Sequence, residues 1–118
     1  LAKSTSVLTI GNGEITSDRI DAKDFALANA PISALVGGDA TENARITKAI
    51  FAGEKGAPRD AVLLNAAAAI AAFDGEMTQG IHERISKSLV KAIAAVDSGA
   101  ATKLLDRWIV LSQELAAN

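Results

Sequence analysis

Residues 61–73, AVLLNAAAAIAAF, contain one polar side chain, Asn65. A helix that is apolar on every side is one that other elements surround. Thirteen residues fall short of the roughly 20 needed to cross a bilayer. The segment therefore predicts a central core helix, approached closely by its neighbours because alanine keeps backbones near one another. Alanine fills 25 of the 118 positions, and aromatic residues make up only 3%. A core of this kind depends on close helix–helix approach, since alanine contributes little area per residue. A lone asparagine in such a helix is expected to be buried and to satisfy the backbone of a neighbouring loop. Covering every side of this helix demands more surface than a hairpin and three further helices supply. The start at Leu1 rather than methionine is expected of a processed chain or an excised piece of something longer.

The remaining elements arrange themselves around that helix. Asn12-Gly13 is the favoured two-residue turn of a β-hairpin over 4–20, because both central positions need positive φ. This register sets Ile10 opposite Ile15 and Thr9 opposite Thr16. Residues 21–38 read as irregular with single helical turns, docking on the core through Phe25, Leu27, Ile32 and Leu35. Helices are predicted at about 40–52, 59–73, 79–97 and 101–116. Pro58 and Asp60 suit the start of the second, and Thr78 is the expected cap of the third. Ile81, Ile85, Leu89, Ile93 and Val96 form the apolar stripe of the third helix. Leu104, Trp108, Leu111 and Leu115, with Leu105 beside them, form that of the fourth. The fold class is thus α+β: a hairpin (4–20), then a helical part (40–116), in one domain of 1–118.

Composition excludes several function classes. With 12 basic and 14 acidic residues interspersed and a net charge of −2, no basic face calls for nucleic acid or an acidic membrane. The absence of cysteine removes disulfides, thiolate metal sites and cysteine nucleophiles. A cytoplasmic location is expected, without a signal peptide or membrane span.

Candidate chemistry is sparse. His82 is the one histidine and reads as a surface or boundary residue in preference to a general base. Asp18, Asp21 and Asp24 recur at threes, but they read as a solvated turn, with Asp21 capping a short helical turn, in preference to a magnesium site. Arg84, Lys87 and Lys91 share a helix face that reads as solvated. Gly37-Gly38-Asp39 lacks the spacing of a phosphate loop. Asp39 and Glu42 instead fit a capping box, Asp39 taking the helix N–H and Glu42 reaching back to the N–H of the cap.

Several segments in order resemble one enzyme family. They are GNGEI (11–15), DFAL (24–27), LVGGDATENARI (35–46), AIFAGEKGAPRDAVLLNAAAAI (49–70), AAVDSGAATKLLDRW (94–108) and LSQEL (111–115). Together they resemble the C-terminal part, roughly the last third, of anthranilate phosphoribosyltransferase. GEKGAPRDAVLLNAAAA is the most specific of them. The resemblance implies a piece of an α/β nucleoside phosphorylase/phosphoribosyltransferase catalytic domain. It implies transfer of phosphoribosyl from phosphoribosyl pyrophosphate to the amine of anthranilate in tryptophan biosynthesis, with magnesium as the cofactor. The family's donor loop, its magnesium-binding Asp-Glu pair and the helices of its homodimer interface are all expected upstream of Leu1. No catalytic, cofactor-binding or metal residue is therefore assigned within 1–118, and the isolated chain is expected to be inactive and to self-associate by contacts of its own. A self-standing helical binding module, or part of a related nucleoside phosphorylase, is the alternative.

Overall fold

The computed structural model describes residues 1–117. Two strands, β1 (Thr5–Gly11) and β2 (Glu14–Ile20), precede four helices: α1 (Ala40–Phe51), α2 (Ala57–Asp74), α3 (Ile81–Asp97) and α4 (Ala100–Ala116). Single 3-10 turns at Ala22–Phe25 and Ile32–Leu35 carry the chain from β2 to α1.

The hairpin forms as its turn chemistry dictates. Asn12 and Gly13 have φ of 53° and 80°, the two positive angles of a tight hairpin turn. Ile10 pairs with Ile15 and Thr9 with Thr16. Alternation then sorts the side chains. Ile20 is buried against the helices and Val7 packs beside it, whereas Leu8, Ile10 and Ile15 point away and lie 66–75% exposed.

The core is the seam between α2 and α3. From α2 come Arg59, Leu63, Ala67 and Ala71, four residues apart and hence on one face. From α3 come Ile81, Ile85, Ser88, Leu89, Ala92 and Val96. Ala67 is fully enclosed and Ser88 nearly so; such small side chains let the two backbones approach closely. Phe25 closes the end of this seam near the hairpin. Ile93 packs on its edge, so the apolar stripe expected of α3 is present throughout.

Four expectations change. First, α2 is not surrounded. Asn65, Ala68, Ala69, Ala72 and Phe73 lie exposed, because the hairpin and α3 cover one side only. Second, Ile32 is 82% exposed, while Leu27 and Leu35 are half-buried; of the four expected docking residues only Phe25 is fully buried, and Ala22 and Ala30 are buried beside it in the segment. Third, Thr78 does not cap α3, which starts after Gly80. Its hydroxyl donates to Glu76 Oε1 at 2.6 Å instead. Fourth, α4 has no fully buried residue: Ala101 and Leu105 are half-buried, while Leu104, Trp108, Leu111 and Leu115 lie exposed.

The consequence is an open molecule. Its accessible surface is 7980 Å², against about 6,000 Å² for a typical folded monomer of this mass. Its radius of gyration is 16.2 Å, against about 13.5 Å for a compact domain of this length. Among the described residues no helix is long and apolar enough to cross a membrane.

Candidate functional site

Sequence reasoning singled out five places, and each has a definite geometry. His82 lies in the first turn of α3. Its ring stacks on Phe25 with centroids 5.9 Å apart, and its Nε2 lies 3.3 Å from Asp24 Oδ2. That carboxylate also accepts the Asp21 N–H at 2.8 Å. The Asp21 N–H is the main cause holding the Asp24 carboxyl below the ordinary aspartate range, with the His82 hydrogen bond adding to it. The pair resembles a base and its orienting group, yet among the described residues no hydroxyl is hydrogen-bonded to the imidazole. With its side chain 53% exposed, His82 is a boundary residue that pins the 3-10 turn to α3.

The three aspartates do not converge. Asp21 occupies the cap position of the Ala22–Phe25 turn, and its carboxylate accepts the Ser4 hydroxyl at 2.8 Å. Asp24 is committed as described, and Asp18 lies further along β2. Among the described residues no three histidine, aspartate or glutamate side chains group as a metal site. A hard divalent cation needs several oxygens converging on one point, so the residues present do not fit one.

At the glycine turn before α1 the N–H groups of Gly38 and Glu42 are already occupied. Asp39 Oδ1 accepts the Glu42 N–H at 2.9 Å, which is the expected cap. The return half of the capping box is absent: Glu42 turns to Arg45, with oxygens 2.7 and 2.9 Å from the guanidinium. This ion pair lowers the Glu42 pKa and raises that of Arg45. Asn43 then fills the turn. Its Oδ1 accepts the Gly38 N–H at 3.0 Å and its Nδ2 donates to Gly38 O at 2.9 Å. A Cβ on Gly37 would collide with the same Oδ1, which explains the glycine there. An anion would have to displace Asn43 to reach the Gly38 N–H.

Arg84, Lys87 and Lys91 are not one solvated face. Lys87 pairs with Glu83 at 2.9 Å and Lys91 with Asp74 at 2.6 Å. Arg84 is buried, and its Nη2 donates to Ala71 O at 3.0 Å. That carbonyl belongs to the last turn of α2, where the helix leaves its acceptors without partners. The arginine side chain thus closes one helix onto the next.

Asn65 is exposed and donates to Ala61 O of its own helix at 2.8 Å; it serves no neighbouring loop. Because α2 is open on this side, the amide has no burial to compensate.

Arg59 is the residue that sequence reasoning missed. Only 3% exposed, it donates through Nη2 to Asp97 Oδ1 at 2.7 Å. This ties the start of α2 to the end of α3, where a cation also suits the helix dipole. The signal was Arg-Asp directly after Pro58 in a segment otherwise apolar. Asn43 was missed for a different reason: its partner Gly38 lies five residues back, outside the usual capping pattern.

Two of the larger concave regions are a cleft and a groove. A cleft of about 580 Å³ lies between β1 and the uncovered side of α2, lined by Val7, Leu8, Leu64, Ala68, Ala72 and Met77. A groove of about 1000 Å³ runs along α4, between Phe51 and Leu104, Leu105, Trp108 and Leu111. The α4 groove is largely apolar, whereas the cleft also presents Lys3, Asn65 and Arg84; among the described residues neither gathers a nucleophile, a base and an oxyanion donor.

Residues 1–102 match the model of the glycosyl transferase family, a/b domain. The chain belongs to this family. Its relatives include the anthranilate phosphoribosyltransferase of Rhodococcus jostii (strain RHA1), 43% identical over 115 residues, covering 98% of this chain and 32% of that protein. The enzyme of the same name from Saccharopolyspora erythraea is 43% identical over 109 residues, covering 92% of this chain and 31% of that protein. That of Frankia alni is 44% identical over 100 residues, covering 85% and 27%. The chain thus spans about a third of the length of the curated relatives it matches. Within the family match lie the hairpin and α1 to α3, while most of α4 follows it.

Proposed function

We propose that this chain supplies the C-terminal part of the catalytic domain of an anthranilate phosphoribosyltransferase. The whole protein would transfer the phosphoribosyl group of phosphoribosyl pyrophosphate to the amine of anthranilate, releasing pyrophosphate. The observation that carries this reading is the 43% identity over 98% of the chain to a protein three times as long. The uncovered side of α2 and the outward apolar face of the hairpin support it, since both are surfaces that further protein would cover.

In this reading the chain positions and does not react. Transferases of this kind gain most from holding donor and acceptor in line, and the α2–α3 seam is a rigid support for such a site. The groups that touch substrate lie outside residues 1–118, as do the ligands of the magnesium ion that the resemblance implies. The whole protein would act as a homodimer through other helices. The isolated chain would be inactive and would self-associate by contacts of its own.

A chimera tests this. The matching third of the Rhodococcus jostii relative is replaced by residues 1–118, and anthranilate consumption is followed by its fluorescence with donor and magnesium present. The chimera is expected to retain transfer and the isolated chain to show none. Transfer by the isolated chain, or a folded chimera without transfer, would overturn the proposal.

A further inference from the structure

The linker from α2 to α3, residues 75–80, has no regular structure. Its one large apolar side chain is Met77, the only methionine of the chain. Met77 is half-buried and lies on Gly11, the last residue of β1. A Cβ at Gly11 would stand 2.6 Å from Met77 Cε and 3.2 Å from its Sδ. The φ of Gly11 is not positive, so the close approach of the thioether, and not backbone geometry, accounts for the glycine. Little else holds this end of the hairpin. Ile20 and Val7 fix its base on the core, and Ser4 ties that base to Asp21. Among the described residues no hydrogen bond or ion pair joins residues 8–19 to the linker or to the helices. A gap of about 340 Å³ separates this half of the hairpin from the start of α3, lined by Thr9, Thr16, Asp18 and Gln79 beside Met77. Those polar walls give a small oxidant an aqueous approach to the thioether, distinct from the apolar cleft that further protein would cover.

We infer that Met77 is a redox-sensitive latch: oxidation of its thioether releases the turn end of the hairpin from the α2–α3 linker. The oxidant is a hydroperoxide. A lone pair on Sδ attacks one peroxide oxygen, an S–O bond forms and the O–O bond breaks. The proton on the transferred oxygen passes to the departing one, which leaves as water or as an alcohol. Sulfur is oxidised and the peroxide is reduced. The product is a sulfoxide, polar and larger at the atom that touches Gly11. It disrupts the one apolar contact this end of the hairpin makes with the linker. A two-stranded hairpin alone is marginal in water, so the released half opens while Ile20 and Val7 keep its base in place. A reductase that returns the sulfoxide to the thioether closes the latch again. Both sides of the contact belong to this chain, so the inference does not depend on the transferase reading.

Hydrogen peroxide treatment of the 118-residue chain at high dilution tests it. Because the chain has one methionine, one added oxygen on the peptide that contains it reports the sulfoxide by mass. Backbone amide exchange over residues 9–16 is expected to quicken roughly tenfold, with α2 and α3 unchanged and circular dichroism showing the helices retained. Methionine sulfoxide reductases of both epimer specificities should restore slow exchange. Met77→Leu keeps an apolar contact without the sulfur, so its hairpin should exchange slowly before and after peroxide. Gly11→Ala should turn the thioether aside, giving quicker exchange with no oxidant and faster oxidation. Complete sulfoxide formation with unchanged hairpin exchange would overturn the latch. So would oxidation more than roughly a hundredfold slower than in the urea-unfolded chain, since the sulfur would then be closed to oxidants. Quickened exchange in peroxide-treated Met77→Leu would place the lesion elsewhere and overturn the assignment to Met77.

Discussion

At the scale of single residues, buried arginines fix where the helices of this molecule sit. Arg59 is enclosed, and Asp97, at 2.7 Å, is the carboxylate that compensates its charge. Asp97→Ala would leave that guanidinium buried without its counter-ion. Because Asp97 is itself 45% exposed, water can enter, and the expected loss is about 2 kcal/mol, below that of a fully buried pair. Urea denaturation at constant pH measures it. Asp24 gives a pH-dependent counterpart. Its folded pKa lies below the ordinary value, chiefly through the Asp21 N–H. The stabilisation is therefore complete above the unfolded pKa of about 3.9 and fades as pH falls through the lower folded value. Asp24→Asn should flatten the decline of the melting temperature with acidification below about pH 4, leaving its course near neutrality unchanged. These partnerships were only partly legible beforehand. The Asp39 cap lies within four residues of its target, so spacing alone exposes it. The targets of Arg59 and Arg84 are set by how α2 lies on α3, and no local pattern encodes that. For Arg84 the helix face was right, but its environment was not, because the carbonyls ending α2 lie beside it.

At the scale of elements, α2 shows how composition can mislead about environment. Its sequence is apolar on all sides, yet only the face bearing Leu63, Ala67 and Ala71 meets α3. Periodicity reads a covered face from contrast between apolar and polar positions, and α2 offers no contrast. Elsewhere the signal was strong. The hairpin was legible to the residue because Asn-Gly fixes its turn, and α3 because its apolar stripe alternates with charge. The asymmetry of α2 yields a paired prediction. Ala67 is 0% exposed, so Ala67→Leu forces side chains into a filled seam and should destabilise by about 1–3 kcal/mol. Ala69 is exposed on the open side, and Ala69→Leu should stay within about 0.5 kcal/mol of the original. Thermal melts of the two variants side by side check this. Equal losses would mean that α2 is enclosed on both sides in solution. The sparse candidate site follows from the same elements. Asn43 is committed to the glycine turn, Arg84 to the end of α2 and His82 to Asp24, so these polar groups do not converge on a shared point.

At the scale of the whole molecule, the surface left open is a thermodynamic quantity. An unfolded chain of this mass exposes about 17,500 Å². With 7980 Å² still accessible after folding, the chain buries roughly 9,500 Å², whereas a compact monomer would bury about 11,500 Å². The denaturant slope follows the area exposed on unfolding. At high dilution the urea m-value should thus be about four fifths of that of a compact domain of the same length. Association then removes further surface from the folded state only, so the unfolding midpoint should rise with protein concentration. The two effects have one origin, and each constrains the other. A low slope with a fixed midpoint would mean that the open faces remain wet at all concentrations. A full-sized slope with a fixed midpoint would mean that the isolated chain closes on itself in solution, with α4 folding down over α1. Measuring slope and midpoint together across a hundredfold dilution separates these states. A rising midpoint with a reduced slope at the dilute end is the outcome expected of a chain whose apolar faces are built to be covered by other protein.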